Sequence, residues 1–334
     1  MTRPTTPRRP GRPRRGLFPC LVLLTALGAL DRTMMATALP DVVSDLGSPA
    51  RAPWVITAYT LALTAAMPAV GALGDRFGRR RTLVASIVLF VGASVACGLA
   101  GDMTSLAVAR LVQGIGGAGL LALPQAVVAD AVPARDRAAY LGPLGAVFAV
   151  ATVASPLVGG WLTDAASWRW IFWINVPLGA AAAALVFHAV PPHRTGADRE
   201  TAPPPFDTTG AALLAVTASG LALTTAVVGV YGWTAGTAAA ASATAPATVA
   251  TLWWERHATN PVLPVDMLRR RPLLLCSLLA LLPGAGLFGA LAYLPSWIQR
   301  AYGASATTAG LMLLPVTPGI VSRAARRHEG KART

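Results

Sequence analysis

Gly71-Ala72-Leu73-Gly74-Asp75-Arg76-Phe77-Gly78-Arg79-Arg80-Arg81 is the stretch on which the reading of this chain turns. It joins two apolar segments, 54–73 and 82–100, each of a length that crosses a bilayer as a helix. Its glycines permit a tight turn, and its arginines complement the negative dipole end of the preceding helix. Asp75 is placed to bridge several guanidinium donors at the membrane surface. A generic basic anchor would account for the arginines, but not for an aspartate flanked by Gly71 and Gly78 at this spacing.

Outward from this loop the chain repeats the same arrangement of apolar run and short polar connection. Apolar segments occupy roughly 17–39, 54–73, 82–100, 104–128, 139–161, 170–190, 208–230, 235–254, 272–294 and 305–322. Charged residues make up 13% of the chain and hydrophobic ones 54%, against about 25% charged in a soluble globular domain. Backbone groups in hydrocarbon must pair within their own segment, so the segments are read as helices. The fold class is therefore an all-α polytopic membrane protein with about ten transmembrane helices. Pro124, Pro156, Pro177 and Pro283 lie inside these segments, where membrane helices tolerate them.

The formal net charge is +14, and all the basic residues but Lys331 are arginines. In a soluble chain that balance would suggest nucleic acid, but no basic domain with base-stacking aromatics is present. The arginines instead cluster before Gly16 and at 76–81, 135–137, 194–199, 256–271 and the tail after 322. That alternation is the positive-inside pattern and predicts cytoplasmic termini. The first apolar run superficially resembles a signal peptide, but Asp31 and Arg32 interrupt it before any cleavage site, so it is read as a retained span. Cys20, Cys97 and Cys276 are far apart within apolar runs, which favours buried thiols over a disulfide or metal site. The organisation expected is a basic N-terminus (1–16), a six-helix bundle (17–190), a Pro-rich linker (191–207), two further helices (208–254) and a last part (255–334) that begins a second bundle and ends in a basic tail.

The signature loop resembles that of the major facilitator superfamily, G-x-L-x-D-R-x-G-R-R/K, with Gly71, Asp75, Arg76, Gly78, Arg79 and Arg80 in the matching places. Leu30-Asp-Arg-Thr-Met-Met-Ala-Thr-Ala-Leu-Pro40 resembles the first-helix motif of the fourteen-helix drug–proton antiporter branch. Arg110-Leu-Val-Gln-Gly-Ile-Gly-Gly117 is similar to its fourth-helix motif, and Trp168-Arg-Trp-Ile-Phe-Trp-Ile-Asn-Val-Pro-Leu-Gly179 to the opening of its sixth helix. In the fifth helix Pro156, Gly159 and Gly160 match the antiporter motif, while Ala151 and Ser155 stand where the motif has glycine. The resemblance covers residues 17 to about 315. Tyr293-Leu-Pro-Ser-Trp-Ile-Gln299 and Ala309-Gly-Leu-Met-Leu-Leu-Pro315 still resemble the region of helices nine and ten. After Pro315 the match decays, and the basic tail reads either as an echo of the signature loop or as a plain inside tail.

Ionisable groups within a span cost about 2.5–3.5 kcal/mol each on insertion scales, so they face a cavity or one another. Asp31 is a proton-coupling candidate if burial favours its protonation, or else a static ion pair with Arg32 or Arg110. Arg110 joins it as a candidate because the resemblance implies an arginine in that role. Arg32 otherwise reaches outward to the headgroups. Gln113 and Asn175 are substrate-cavity candidates, although helix-to-helix hydrogen bonding competes for Gln113. Asp130, Arg135 and Asp136 read as a polar gate loop or a solvated turn. His188 and His193 read as a dipole complement and a linker residue. The tryptophans around 161–173 and Trp233 mark an interface belt.

The resemblance implies a proton-coupled exporter of drug-like or antibiotic small molecules, apolar or cationic, working by alternating access in the plasma membrane. It implies no cofactor beyond a proton gradient. Its partners are the lipid bilayer, the substrate and protons, with no nucleic acid. No metal spacing or nucleophile motif points to an enzyme. The alternative is a transport-incompetent, C-terminally truncated relative, since the branch has fourteen helices and ten are read here.

Overall fold

The computed structural model describes residues 16–191, 207–259, 261–262 and 270–279. Among them there is no strand, and the helices follow in chain order: α1 (Leu17–Leu46), α2 (Ala52–Phe77, entered through a 3-10 turn Pro49–Arg51), α3 (Arg79–Gly98), α4 (Met103–Ala131) and α5 (Arg137–Ala165). The short α6 (Trp170–Trp173) runs into α7 (Asn175–Ala189), and α8 (Thr208–Tyr231) and α9 (Ala235–His257) complete the series. Among the described residues six stretches are long and apolar enough to cross a membrane: Leu17–Leu46, Pro49–Phe77, Arg79–Gly98, Met103–Ala131, Arg137–Ala165 and Trp170–Ala189. They coincide with the first six apolar segments of the sequence and overrun most of them, because helical pairing continues past the hydrocarbon boundary. The seventh and eighth segments form α8 and α9. Of the ninth, residues 272–279 are helical; its remainder, the whole tenth segment and the tail lie outside the described residues.

Helix α4 is the axis of the first bundle. It packs against α2 on one side and α3 on the other, while α1 pairs with α5. Glycines make the first arrangement possible. A methyl group at Gly116 would stand 2.6 Å from the backbone nitrogen of Phe90 on α3, and one at Gly117 would stand 2.6 Å from the Tyr59 hydroxyl on α2. Gly114 faces the Tyr59 carbonyl and Gly119 the Ser86 hydroxyl, with no room for a side chain at either. Without water to drive helices together, such close backbone approach is the main source of cohesion in a bilayer.

Two apolar cores result. One, towards the arginine-rich end, holds Leu21, Leu24, Leu83, Phe90, Leu120 and Leu123. The other, towards the opposite end, holds Met34, Met35, Val55, Met103, Trp168 and Phe172. Between them lie Asp31 on α1, Ser94 on α3, Arg110 and Gln113 on α4 and Asn175 on α7, all polar.

The ends of the bundle are tied differently. At the arginine-rich end Gly78 adopts φ +94°, a conformation that favours glycine and turns the chain from α2 into α3. At the opposite end Arg169 bonds Asp45 (2.6 Å) and the carbonyl of Ala100 (3.2 Å), and the Trp168 indole N–H also reaches Asp45 at 3.0 Å. Asp102 caps α4, accepting from the backbone N–H groups of Ser105 and Thr104. The Ser105 backbone and hydroxyl bonds, then the Thr104 bond, hold its carboxyl below the usual range. Trp161 and Trp170 are exposed on this side, as an interface belt requires.

Candidate functional site: a buried ionic layer beside a cavity

The polar layer is built by four helices. Arg110 on α4 donates from Nη1 to Asp31 Oδ2 on α1 at 2.7 Å. Asp31 Oδ1 accepts from Gln113 Nε2 and from Asn175 Nδ2, both at 2.9 Å. Ser94 on α3 closes the ring: its hydroxyl oxygen accepts from Gln113 at 2.7 Å and Asn175 at 3.2 Å while its proton goes to the Phe90 carbonyl. The Gln113 Oε1 accepts a second Arg110 bond at 2.7 Å and faces the Cys97 thiol at 3.6 Å. All of these side chains are buried.

The guanidinium lies 4.1 Å from the ring centroid of Tyr59 and 5.8 Å from that of Phe172. Aromatic faces of this kind stabilise a desolvated cation. Its Nε and Nη2, like the Tyr59 hydroxyl, have no hydrogen-bond partner among the described residues. Among the described residues, Asp31 is thus the one anion in contact with this buried cation. Buried pairs of this sort break even against their desolvation only while both partners are charged.

Gln113 and Asn175, expected to face the substrate cavity, lie in this layer and are not among the residues lining the cavity described next. Amides buried at this depth go to the strongest acceptor in reach, here the Asp31 carboxylate. Of the two pairings left open for Asp31, the structure contains the one with Arg110. Ser94 and Tyr59 went unnoticed in the sequence: a lone serine and a lone tyrosine in apolar helices carry no periodic signal.

A cavity of about 560 Å³ lies between α1, α2, α4 and α5. Leu63, Met67, Leu121, Leu144 and Phe148 supply its apolar wall, and Thr25, Thr64, Gln125 and Arg32 its polar positions. Arg32 follows Asp31 in α1, so the ionic layer and the cavity are back to back on one helix. A larger groove of about 1120 Å³ runs along the outside of α3 and α4. It is lined by exposed Val88, Leu89 and Val108, a lipid-facing surface.

Two outlying motifs connect to this centre. In α5 the Ser155 hydroxyl donates to the Leu30 carbonyl at 2.5 Å, the residue before Asp31. Gly159 packs over α1, where a methyl group would meet Thr37 Oγ1 at 2.9 Å and the Met34 carbonyl at 3.1 Å. Pro156 is exposed, and Gly160 has open space beside it. In the signature loop Arg79 bonds Asp75, the Gly71 carbonyl (3.2 Å) and Asp130 of α4 (3.0 Å). Asp130 therefore belongs to the loop, whereas Arg135 and Asp136 pair with each other in an exposed turn. Arg80 lies over the Phe187 ring and Arg76 over Phe77.

Residues 21–328 match the Major Facilitator Superfamily. The chain belongs to that family. Members of the superfamily are transporters and not enzymes. An uncharacterized MFS-type transporter of Mycobacterium tuberculosis is 38% identical over 309 residues, covering 91% of this chain and 44% of that protein. The Multidrug transporter protein MdtP of Bacillus subtilis is 32% identical over 298 residues, covering 89% of this chain and 54% of its own. Among solved structures the proton:xylose symporter XylE aligns with TM-score 0.53 at 17% identity, covering 90% of this chain and 66% of that one. That last likeness shows the superfamily fold alone. The chain spans about half the length of the curated relatives it matches. It is a multi-pass membrane protein of a family that moves small molecules.

Proposed function

We propose that this superfamily chain takes part in proton-coupled export of drug-like small molecules by alternating access. The observation that carries the reading is the Asp31–Arg110 pair, buried in the spans, with the Asp31 carboxylate accepting three hydrogen bonds, and one residue along α1 from a cavity of ligand size. Protonating Asp31 would cancel the anion facing Arg110 and weaken the ties that hold α1 to α4 and α7. That is the kind of two-state element a proton can bias. The signature loop contributes at the arginine-rich end, where Arg79 joins α2, α3 and α4 and would have to release or shift as the bundle rocks. The relative named as a multidrug transporter supports the drug-export part of the reading. The arginine clusters support a plasma-membrane orientation with this end cytoplasmic.

The test is dye accumulation in inverted membrane vesicles energised with a proton gradient, using cationic, neutral and anionic dyes. Uptake that collapses with a protonophore, and that is lost in Asp31→Asn while the protein stays folded, is the expected result. Undiminished uptake in Asp31→Asn removes the coupling role. A second reading is a transport-incompetent relative. Absence of gradient-driven uptake for every dye selects it.

A further inference from the structure

We infer that the cavity between α1, α2, α4 and α5 takes an apolar ring compound carrying a hydrogen-bond donor, a hydroxyl or an N–H, and that Gln125 is the residue that selects for the donor. This rests on reading that cavity as the substrate site. The resemblance implies only an apolar or cationic compound, and the hydrogen bonds within the cavity wall are more particular.

Three neutral polar side chains line the cavity: Thr25 on α1, Thr64 on α2 and Gln125 on α4. Two of them already direct a proton into their own helix. The Thr64 hydroxyl donates to the Thr60 carbonyl at 2.8 Å, one turn back. Gln125 Nε2 donates to the Leu121 carbonyl at 3.5 Å, also one turn back. A carbonyl only accepts, so the amide nitrogen belongs on that side and Oε1 is the atom turned away from it. Among the described residues nothing donates to Gln125 Oε1 or to Thr64 Oγ1.

A ligand entering the cavity displaces water from both oxygens. If it has no donor it leaves them unpaired, whereas a hydroxyl or N–H replaces the lost water bond. Sites of this kind reject the analogue that lacks the donor, because their own polar atoms then go unsatisfied. Thr25 adds a hydroxyl that can give or accept. Arg32 also lines the cavity and has an interaction of its own. Any N–H it offers is met by an ether oxygen as readily as by a hydroxyl, so it does not separate a donor from a non-donor.

The rest of the lining fits the body of such a ligand. Leu63, Met67, Leu121 and Phe148 offer an apolar wall with an adaptable methionine and an aromatic ring. About 560 Å³ accommodates a three- or four-ring compound. On the α5 side Gly145 lines the cavity with open space beside it.

The test uses the full chain in lipid nanodiscs and two isomeric probes, pyrenepentanol and pyrenebutyl methyl ether, which differ in having or lacking an O–H. Equilibrium binding is followed by fluorescence anisotropy, with protein-free discs subtracting partition into lipid. The alcohol binds saturably and about fivefold more tightly than the ether, the worth of one neutral hydrogen bond. Gln125→Met removes the acceptor at nearly constant length, so the alcohol falls to the affinity of the ether. Ether binding is unchanged in that variant, which shows the cavity intact. Gly145→Phe occupies the open space and weakens both isomers, which places them in this cavity. The inference is overturned if the ether binds wild type as tightly as the alcohol, if neither binds saturably, if Gln125→Met keeps the difference, or if Gly145→Phe weakens neither. Should Gln125→Met bind neither isomer, Thr64→Val decides in its place: a reduced difference supports the inference and an undiminished one overturns it. Binding needs no gradient, so donor-dependent binding without proton-driven uptake would defeat the export reading alone. Proton-driven uptake that treats the two isomers alike would defeat this inference alone.

Discussion

Arg110 Nη1 stands 2.7 Å from Asp31 Oδ2, and the two side chains are 1% and 0% exposed. Stability and the proposed coupling can be separated experimentally at this pair. Arg110→Ala leaves a buried carboxylate alone and should destabilise by about 3–5 kcal/mol, read from thermal unfolding in detergent. The double replacement Asp31→Leu with Arg110→Met should recover most of that loss, since apolar substitution of a whole buried pair is close to neutral. It should nonetheless show no proton-driven uptake. A double variant as unstable as Arg110→Ala would mean the layer is held by more than this pair.

The α4 glycines are set by space. Gly116→Val drives a side chain into the Phe90 backbone, which α3 cannot yield without moving. A loss of at least about 1–3 kcal/mol is expected, with lower membrane yield. By contrast Gly160→Ala meets open space and should be silent in both yield and uptake.

Gly159→Val tests whether the α1–α5 contact matters to transport. The added methyls press on Met34 and Thr37, displacing α5 from the turn of α1 that follows Asp31. Uptake should fall severalfold more than thermal stability does. Equal loss of both would assign Gly159 to packing alone.

At the arginine-rich end Arg79 is 17% exposed and carries three contacts, whereas Asp75 and Asp130 are 68% and 60% exposed. Solvent screens such pairs, so Asp130→Asn should change stability by less than about 1 kcal/mol. Under the proposed function its effect is on transport rate. Transport should change in Asp130→Asn and Asp75→Asn, and the double variant should be no worse than the worse single one, because both act through Arg79.

Asp102 gives a pH test. Its folded carboxyl is held low by the Ser105 and Thr104 bonds. A depressed folded value means stability that is present above the unfolded carboxylate value and is lost as pH falls through the folded one. Wild type should exceed Asp102→Ala in melting temperature at pH 7, with the gap closing as pH falls below about 4. A gap that stays constant to pH 3 would show that the cap acts through shape and not charge.

Much of this was legible in the amino acids, for a physical reason. Hydrocarbon leaves the backbone one choice, so the first six apolar segments had to be helices, and the Gly71–Arg81 loop declared the family. Asp31 and Arg110 were visible because a charge in a span needs an explanation. What joined them was not visible. They are 79 positions apart, and the choice between Arg32 and Arg110 as partner depends on how α1 is turned relative to α4. Ser94 and Tyr59 resemble ordinary span residues until the glycines of α4 bring α2 and α3 close enough to enclose them. The cavity was hidden for the same cause: Thr25, Thr64 and Gln125 come from three helices, and none is unusual alone.

Three consecutive residues of α1 face three ways. The Leu30 carbonyl is taken by Ser155, the Asp31 carboxylate by Arg110, and Arg32 lines the cavity. Successive side chains on a helix are set about 100° apart, so rolling α1 about its own axis by one residue would put Asp31 where Arg32 is. The Ser155 bond acts as a pin against that roll. The first helix is thereby held against spinning, and the carboxylate of the ionic layer and the guanidinium at the cavity wall keep a fixed angle between them.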